Sequence, residues 1–544
     1  MTENAQTETD EPVAAETAPA EAETEAAEPE SPASRIDAAR IGEIMASVRS
    51  VIVDLVLLAL IFGAITIVVT ELRRDSVVID PIRLPESLIA MGYSEDVAAL
   101  RLWDAVVEIN ASTPTAKERV TLLPASQRMD FEAADSGVTL QTLVRILRPL
   151  LGIDEVRIVG EFICTTVDCA QEGLALRLRV FRNDGMKLIS MPPVGGKGGE
   201  QEIAEYFHQA ALELLRVLDP YVVAFNLYQT DKAAAEREAQ RLIRPSQPQR
   251  KWAMNLLGFI AADRNDFDAA IGWYQRAVAA DPDGEFAIAY TNWGNALRAK
   301  GDLDGAIEMQ KRAIEIDPKY ANAYINWANV LADKGDLDGA LAKVSQAAEI
   351  DPASAFAFNV WGNMHYSKGE LDLAIEKYRR ATELDPFSGL AHFNWGIALA
   401  DMGDLDGAID QYIRAVEIDP KDAGALANWG IALRDKGDLD GATGKFAEAV
   451  EADPRNAFAL NNWGIILGKQ GDIDDALEKF TSATRIDPAY SNAQFNLGLV
   501  LRMLNRTGDA ADAFQRYLEL DPYADNAGQV RELIGQLREQ ASGG

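Results

Sequence analysis

The sequence is short of the residues that carry most chemistry. Among 544 residues there are two cysteines and three histidines, little material for a metal centre. His208 falls within an amphipathic helical pattern rather than beside a nucleophile. No Gly-rich phosphate loop, G-x-S-x-G or H-E-x-x-H stretch occurs. The run Gly195-Gly196-Lys197-Gly198-Gly199 has the composition of a phosphate cradle, but no Ser or Thr follows Lys197 and no clear strand-to-helix context surrounds it. It reads as a flexible loop. Positive charge is scarce too: 52 Lys and Arg stand against 85 Asp and Glu, a formal net charge of −33. So acidic a surface repels phosphate backbones, and with no basic patch to offset it nucleic acid is not an expected partner. The reading that follows has no metal, no cofactor and no enzyme.

Residues 1–34 hold ten acidic groups and no basic one amid Ala, Pro and Thr. They cannot bury enough apolar surface to offset chain entropy, so a disordered acidic tail is expected. Residues 35–50 turn helical and carry Arg35, Arg40 and Arg49, as a juxtamembrane segment would. Residues 51–70 then read VIVDLVLLALIFGAITIVVT. Twenty residues at a rise of 1.5 Å span about 30 Å, the thickness of a bilayer core. Asp54 is the only charge and lies one turn inside the edge. A single transmembrane helix inserted through residues 51–70 is the expectation. Basic residues flank both ends, so charge asymmetry does little to orient it. Cys164 and Cys169 are five apart between strand-like runs, where a disulfide would staple a short loop; two free thiols and a metal pair are the alternatives. Disulfides belong to oxidising compartments such as a bacterial periplasm. That favours an extracytoplasmic C-terminal region on a bacterial inner membrane.

Residues 76–219 have mixed character. Ser94 opens a helix carrying Val97, Leu100, Trp103 and Val107, and Thr139 opens another. Residues 155–163 read as a strand, Leu174, Leu176, Leu178 and Val180 alternate in a second, and Asn183-Asp184-Gly185 is a hairpin turn into a third. Ile203, Phe207, Ala210, Leu214 and Val217 make one face of a closing helix. A small α+β domain with an antiparallel sheet is predicted. Residues 220–248 are helical and contain Phe225-Asn226-Leu227, a degenerate cap or linker.

What the sequence has in abundance is repetition. Trp followed by Gly or Ala recurs at Trp293, Trp327, Trp361, Trp395, Trp429 and Trp463, every 34 residues, with Leu257 and Leu497 in the flanking slots. Asp-Pro pairs keep the same beat from Asp281-Pro282 to Asp521-Pro522. Within each unit the first helix places apolar residues three and four apart, a Lys-Gly-Asp-like turn follows, and Pro stops the second helix. A period of this size marks a solenoid. The pattern resembles the tetratricopeptide repeat (TPR) family, a helix-turn-helix array, with about eight helix pairs over residues 249–522. The tryptophans read as packing, and residues 523–541 as a polar C-terminal capping helix. The whole chain is then mainly α: a TPR α-solenoid preceded by a single transmembrane helix and the small α+β domain.

In that family the first helix of each pair lines the concave wall. Asn292, Asn326, Asn394, Asn428, Asn462 and Asn496 stand beside the Trp slot, interrupted by Val360. Three residues on come Asn295, Asn329 and Asn363, then Ile397, Ile431 and Ile465. A carboxamide offers donors and an acceptor together, so a ladder of them suits the backbone of an extended peptide. The arrangement resembles the asparagine-lined arm of the O-linked N-acetylglucosamine transferase. The lysines of the chaperone-type carboxylate clamp are missing, since Thr291, Ile325, Asn359 and Phe393 hold the preceding positions. The switch from Asn to Ile predicts a polar first half of the groove and a more apolar second half. A protein or peptide partner is what the resemblance implies, and with the membrane anchor the expected role is a scaffold in assembling a cell-envelope complex. A self-assembling structural protein, with homo-oligomers, and a ligand-sensing or enzymatic α+β domain are the alternatives.

Overall fold

The computed structural model describes residues 77–90, 92–113, 122–124, 156–164, 174–182, 185–194 and 200–543. The acidic tail, the juxtamembrane segment, the apolar run 51–70, the helix at Thr139, Cys169, Asn183-Asp184 and the Gly195–Gly199 loop lie outside these residues. Among the described residues no helix is long and apolar enough to cross a membrane.

Among the described residues the first elements are β1 (Val77–Ile79), α1 (Glu86–Ala90), α2 (Glu95–Ser112), β2 (Leu122–Pro124), β3 (Val156–Cys164), β4 (Leu174–Arg182) and β5 (Gly185–Ser190). Helices α3 (Glu200–Leu218), α4 (Pro220–Thr230) and α5 (Lys232–Leu242) follow. Two compact units divide the described residues: those up to Asp80, those from Leu123 to Ile158 and those from Arg179 to Lys187 form one, and the remainder the other. The division passes through β2, β3, β4 and β5 themselves. The strands lie in the order β2-β1-β3-β4-β5. β1 pairs with β3 in parallel, Val77 opposite Val156, and Arg83 bridges Glu161 in the same sense. The expectation of an antiparallel sheet is thereby corrected for this pair, while the chain leaving β5 runs antiparallel to β4, Met191 and Val194 donating to the Leu176 and Leu174 carbonyls. A long crossover carrying α1 and α2 separates β1 from β3, and such a connection permits parallel pairing. Alternating residues reveal which face is buried but not which way a strand runs.

Within the smaller unit Arg157 pairs with Asp80 at 2.6 Å. Within the larger, Ser94 caps α2 by accepting from the Val97 N–H. Tyr206 on α3 accepts from the Leu176 N–H at 2.9 Å and donates to the Pro192 carbonyl at 2.8 Å, and burial pushes its phenol pKa up. Cys164, at the end of β3, is disulfide-bonded. Asp219, fully buried between α3 and α4, accepts from Gln249 Nε2 at 2.7 Å, while Gln249 Oε1 accepts from the Tyr221 N–H. The helical array therefore starts at α4.

Eight helix pairs follow. They are α6 (Arg250–Asp263) with α7 (Phe267–Ala279), α8 (Ala287–Ala299) with α9 (Leu303–Ile316), α10 (Ala321–Asp333) with α11 (Leu337–Ile350), and α12 (Ala355–Ser367) with α13 (Leu371–Leu384). Then come α14 (Gly389–Asp401) with α15 (Leu405–Ile418), α16 (Ala423–Asp435) with α17 (Leu439–Ala452), α18 (Ala457–Gln470) with α19 (Ile473–Ile486), and α20 (Ser491–Met503) with α21 (Thr507–Leu520). α22 (Ala527–Gly543) closes the stack. We call the members of each pair the A- and B-helix.

The turns explain the beat. Each A-helix ends on a left-handed residue, Gly301 (φ 84°) being typical, with Asn265 and Asn505 taking that place in the end pairs. The next residue caps the B-helix, as when Asp404 Oδ1 accepts the Gly407 N–H at 3.0 Å. Replacing Asp404 with Ala should cost about 1 kcal/mol in a thermal melt. Asp472 makes no such bond, so Asp472→Ala should cost less. At the fourth pair Glu370 stands at the cap position without capping. Its carboxylate instead meets His365 Nδ1 and Lys368 Nζ, bonds that hold its pKa below the usual range. From Asp317 to Asp487 the Asp of each Asp-Pro pair ends its B-helix and turns the chain, as Asp317 Oδ1 does by accepting the Lys319 N–H.

The tryptophans pack against the core clusters from their edges. The rings of Trp327, Trp361, Trp429 and Trp463 are half-buried, and a B-helix ammonium lies over each: Lys343, Lys377, Lys445 and Lys479 sit 4.0–4.5 Å from the centroids. The fully enclosed aromatic comes from the B-helix. Tyr274, Tyr378, Tyr412, Phe446, Phe480 and Phe514 each pack over the A-helix glycine of their own pair. At the third pair both partners change together, Ala328 facing a smaller Val344.

Candidate binding groove

Which side of the array is the inner one follows from packing. A-helices touch the A-helices of neighbouring pairs from α4 through α20, and the substantial next-but-one contacts within the array are all of this kind. Helices crowded together on one side bend the stack toward it, so the A-helices form the inner wall.

A cavity of about 380 Å³ opens on this wall at the N-terminal end. Six rings surround it: Tyr221 and Phe225 from α4, Trp252 and Phe259 from α6, Tyr320 from the loop before α10, and Phe356 from α12. Phe356 and Phe259 remain 53% and 37% exposed. Its polar lining is Asn255, Thr291, Asn292, Asn322 and Asn326. Burial raises the Tyr320 phenol pKa above its ordinary value. The lining contains no charged side chain, although the chain as a whole is acidic.

The ladder asparagines are partly engaged with one another. Asn292 Nδ2 donates to Asn255 Oδ1 at 3.0 Å, Asn394 to Asn359 at 3.1 Å, and Asn496 to Asn461 at 2.9 Å. In every case the acceptor is the buried residue two places before the Trp slot in the preceding pair. Where that neighbour is apolar the ladder changes. Val360 meets Ile325 in one buried cluster, which accounts for the interruption of the asparagine row. Asn428, following Phe393, and Asn462, following Ala427, turn back to donate to Gly424 and Phe458 carbonyls of their own helices. Asn462 is further occupied by Arg434 Nη1 at 3.1 Å. One N–H and one lone pair of its carboxamide are thus engaged within the array.

The second row divides similarly. Asn295 is exposed and Asn329 half-buried. Asn363 Oδ1 accepts from both Tyr378 Oη at 2.8 Å and Asn394 at 3.2 Å. Ile397, Ile431 and Ile465 are half-buried against the clusters of Tyr412, Phe446 and Phe480, so much of their apolar surface serves the joints between helices. The N-terminal part of the groove combines these carboxamides with a ring of aromatics.

Sequence reasoning missed a row four residues before the ladder slot: Ile288, Asn322, Phe356, Leu390, Gly424 and Phe458. The first three line the cavity, and Leu390 and Phe458 occupy the equivalent place further along, 55% and 43% exposed. A helical step of four puts this row on the ladder's own face, which was the available signal.

The chain matches the tetratricopeptide repeat family over residues 227–285, 393–457 and 461–525, and TPR repeats over 294–332 and 362–403. It is 35% identical over 81 residues to human tetratricopeptide repeat protein 36, a match covering 15% of this chain and 42% of that relative's length. Among solved structures it is similar to YrrB, described as a TPR protein with an unusual peptide-binding site (28% identity, 34% of this chain and 95% of that one, TM-score 0.28). It is also similar to MamA (29%, 30% and 96%, TM-score 0.28) and to yeast Tom70 (17%, 62% and 86%, TM-score 0.42). The C-terminal helical array is built of tetratricopeptide repeats.

Proposed function

We propose that this protein is a membrane-tethered adaptor that takes up an extended segment of a partner protein along its A-helix wall, in the assembly of a cell-envelope complex. The observation that carries the reading is the wall itself: carboxamides at successive levels beside an open cavity of about 380 Å³, groups that suit peptide units and side chains in turn. The apolar run 51–70 supports the tether. The disulfide at Cys164 supports an extracytoplasmic array on a bacterial inner membrane. The test is capture of partners by the full chain in detergent, with cross-linking at Asn322 on the inner wall and at the exposed Glu315 of α9. Partners should cross-link at Asn322; partners found at Glu315 alone would overturn the groove reading. Reporter fusions after Thr70 and at the C-terminus should both report an extracytoplasmic location, and a cytosolic signal from both would end that part of the proposal.

A further inference from the structure

The cavity at the N-terminal end of the wall holds an unusual group. Thr291 is 2% exposed and its Oγ1 has no hydrogen-bond partner. Its neighbour at the equivalent step of the ladder is Asn326, and both line the cavity. At three comparable steps the two residues are asparagines bonded to each other. Here a buried hydroxyl stands free beside a carboxamide, and a buried hydroxyl left unpaired is costly unless something arrives to pair with it. Around this polar spot stand the rings of Phe259, Tyr320 and Phe356.

We propose that this cavity is a side-chain pocket selective for tyrosine within the extended segment bound along the wall, an assignment that rests on the groove reading above. The ring of the guest lies among the aromatic walls, and its hydroxyl exchanges hydrogen bonds with Thr291 Oγ1 and the Asn326 carboxamide. Phenylalanine fills the same space but leaves Thr291 unpaired. A lysine ammonium gives up its water for a lining with no carboxylate. The chain's own residues 1–76 contain neither tyrosine nor tryptophan, so that stretch does not supply the guest.

The experiment uses the full chain in detergent and fluorescein-labelled twelve-residue Gly/Ser peptides with Tyr, Phe, Lys or Ala at the centre, read by anisotropy. The Tyr peptide should bind roughly tenfold more tightly than the Phe peptide, the scale of one buried hydrogen bond with its unpaired alternative. Thr291→Val should remove most of that preference, with an unchanged far-UV circular dichroism spectrum showing that the variant folds. Equal binding of Tyr and Phe, a preference for Lys, or a Tyr preference undiminished by Thr291→Val overturns the pocket. Binding that ignores the central residue yet weakens when Asn359 and Asn394 are both replaced overturns the pocket alone, and absence of binding by every peptide overturns the groove as well. Tyr523 is 93% exposed at the other end of the array. Concentration-dependent association in light scattering, lost in Tyr523→Ser, would make a second copy the occupant and overturn the assignment to a partner segment.

Discussion

Tyr412→Ala is expected to destabilise the array by about 3–5 kcal/mol, seen as a lower midpoint in urea or thermal unfolding. Tyr412 is 1% exposed, and its ring lies over Gly396 so closely that a Cβ built there would stand 2.5 Å from Cε1. Removing the ring leaves a cavity between the two helices of a pair, and the backbones have little room to collapse into it. The reverse error, Gly396→Ala, overfills the same space and should cost about 1–3 kcal/mol. The third pair solves the same problem with Ala328 against Val344. Copying it, as Gly396→Ala with Tyr412→Val, should therefore cost distinctly less than the sum of the two single changes. A double-mutant cycle checks this, since residues in contact are where additivity fails. Additive costs would mean that glycine and ring are not in fact matched.

The second large effect separates stability from binding. Asn359 is buried and accepts from Asn394. Asn359→Ile alone removes an acceptor from a part-buried amide and should cost about 1–3 kcal/mol. Asn359→Ile with Asn394→Val reproduces the apolar pair Ile325 and Val360, and both polar partners leave together. The double variant should recover most of the lost stability. It also deletes a rung, so an extended peptide spanning this level should bind about two- to tenfold more weakly, the worth of one net hydrogen bond. Unchanged affinity in the stable double variant would show that peptides do not pass over Asn394.

These two cases show what could be read in the chain beforehand. The glycine at 396 was visible as a small residue at a fixed place in the period, yet its large partner sixteen residues on was overshadowed by the more conspicuous Trp395. The asparagine row was visible, and so was the break at Val360, but the reason for the break was not: Ile325 sits thirty-five residues away and is adjacent only once the pairs are stacked. Asn462 looked like every other rung. Its engagement by Phe458 and Arg434 is a matter of side-chain direction, which spacing does not report.

From the sequence alone came the helix pairs, their turns and their number. Each is set locally, by a left-handed glycine, a capping aspartate and a stopping proline within one period. Tertiary structure decided which helices crowd into the inner wall, which carboxamides consume each other, where aromatic rings gather around Thr291, and that β1 runs parallel to β3. All of these depend on residues brought together across long stretches of chain, where a linear pattern records that a group is present but not what it faces.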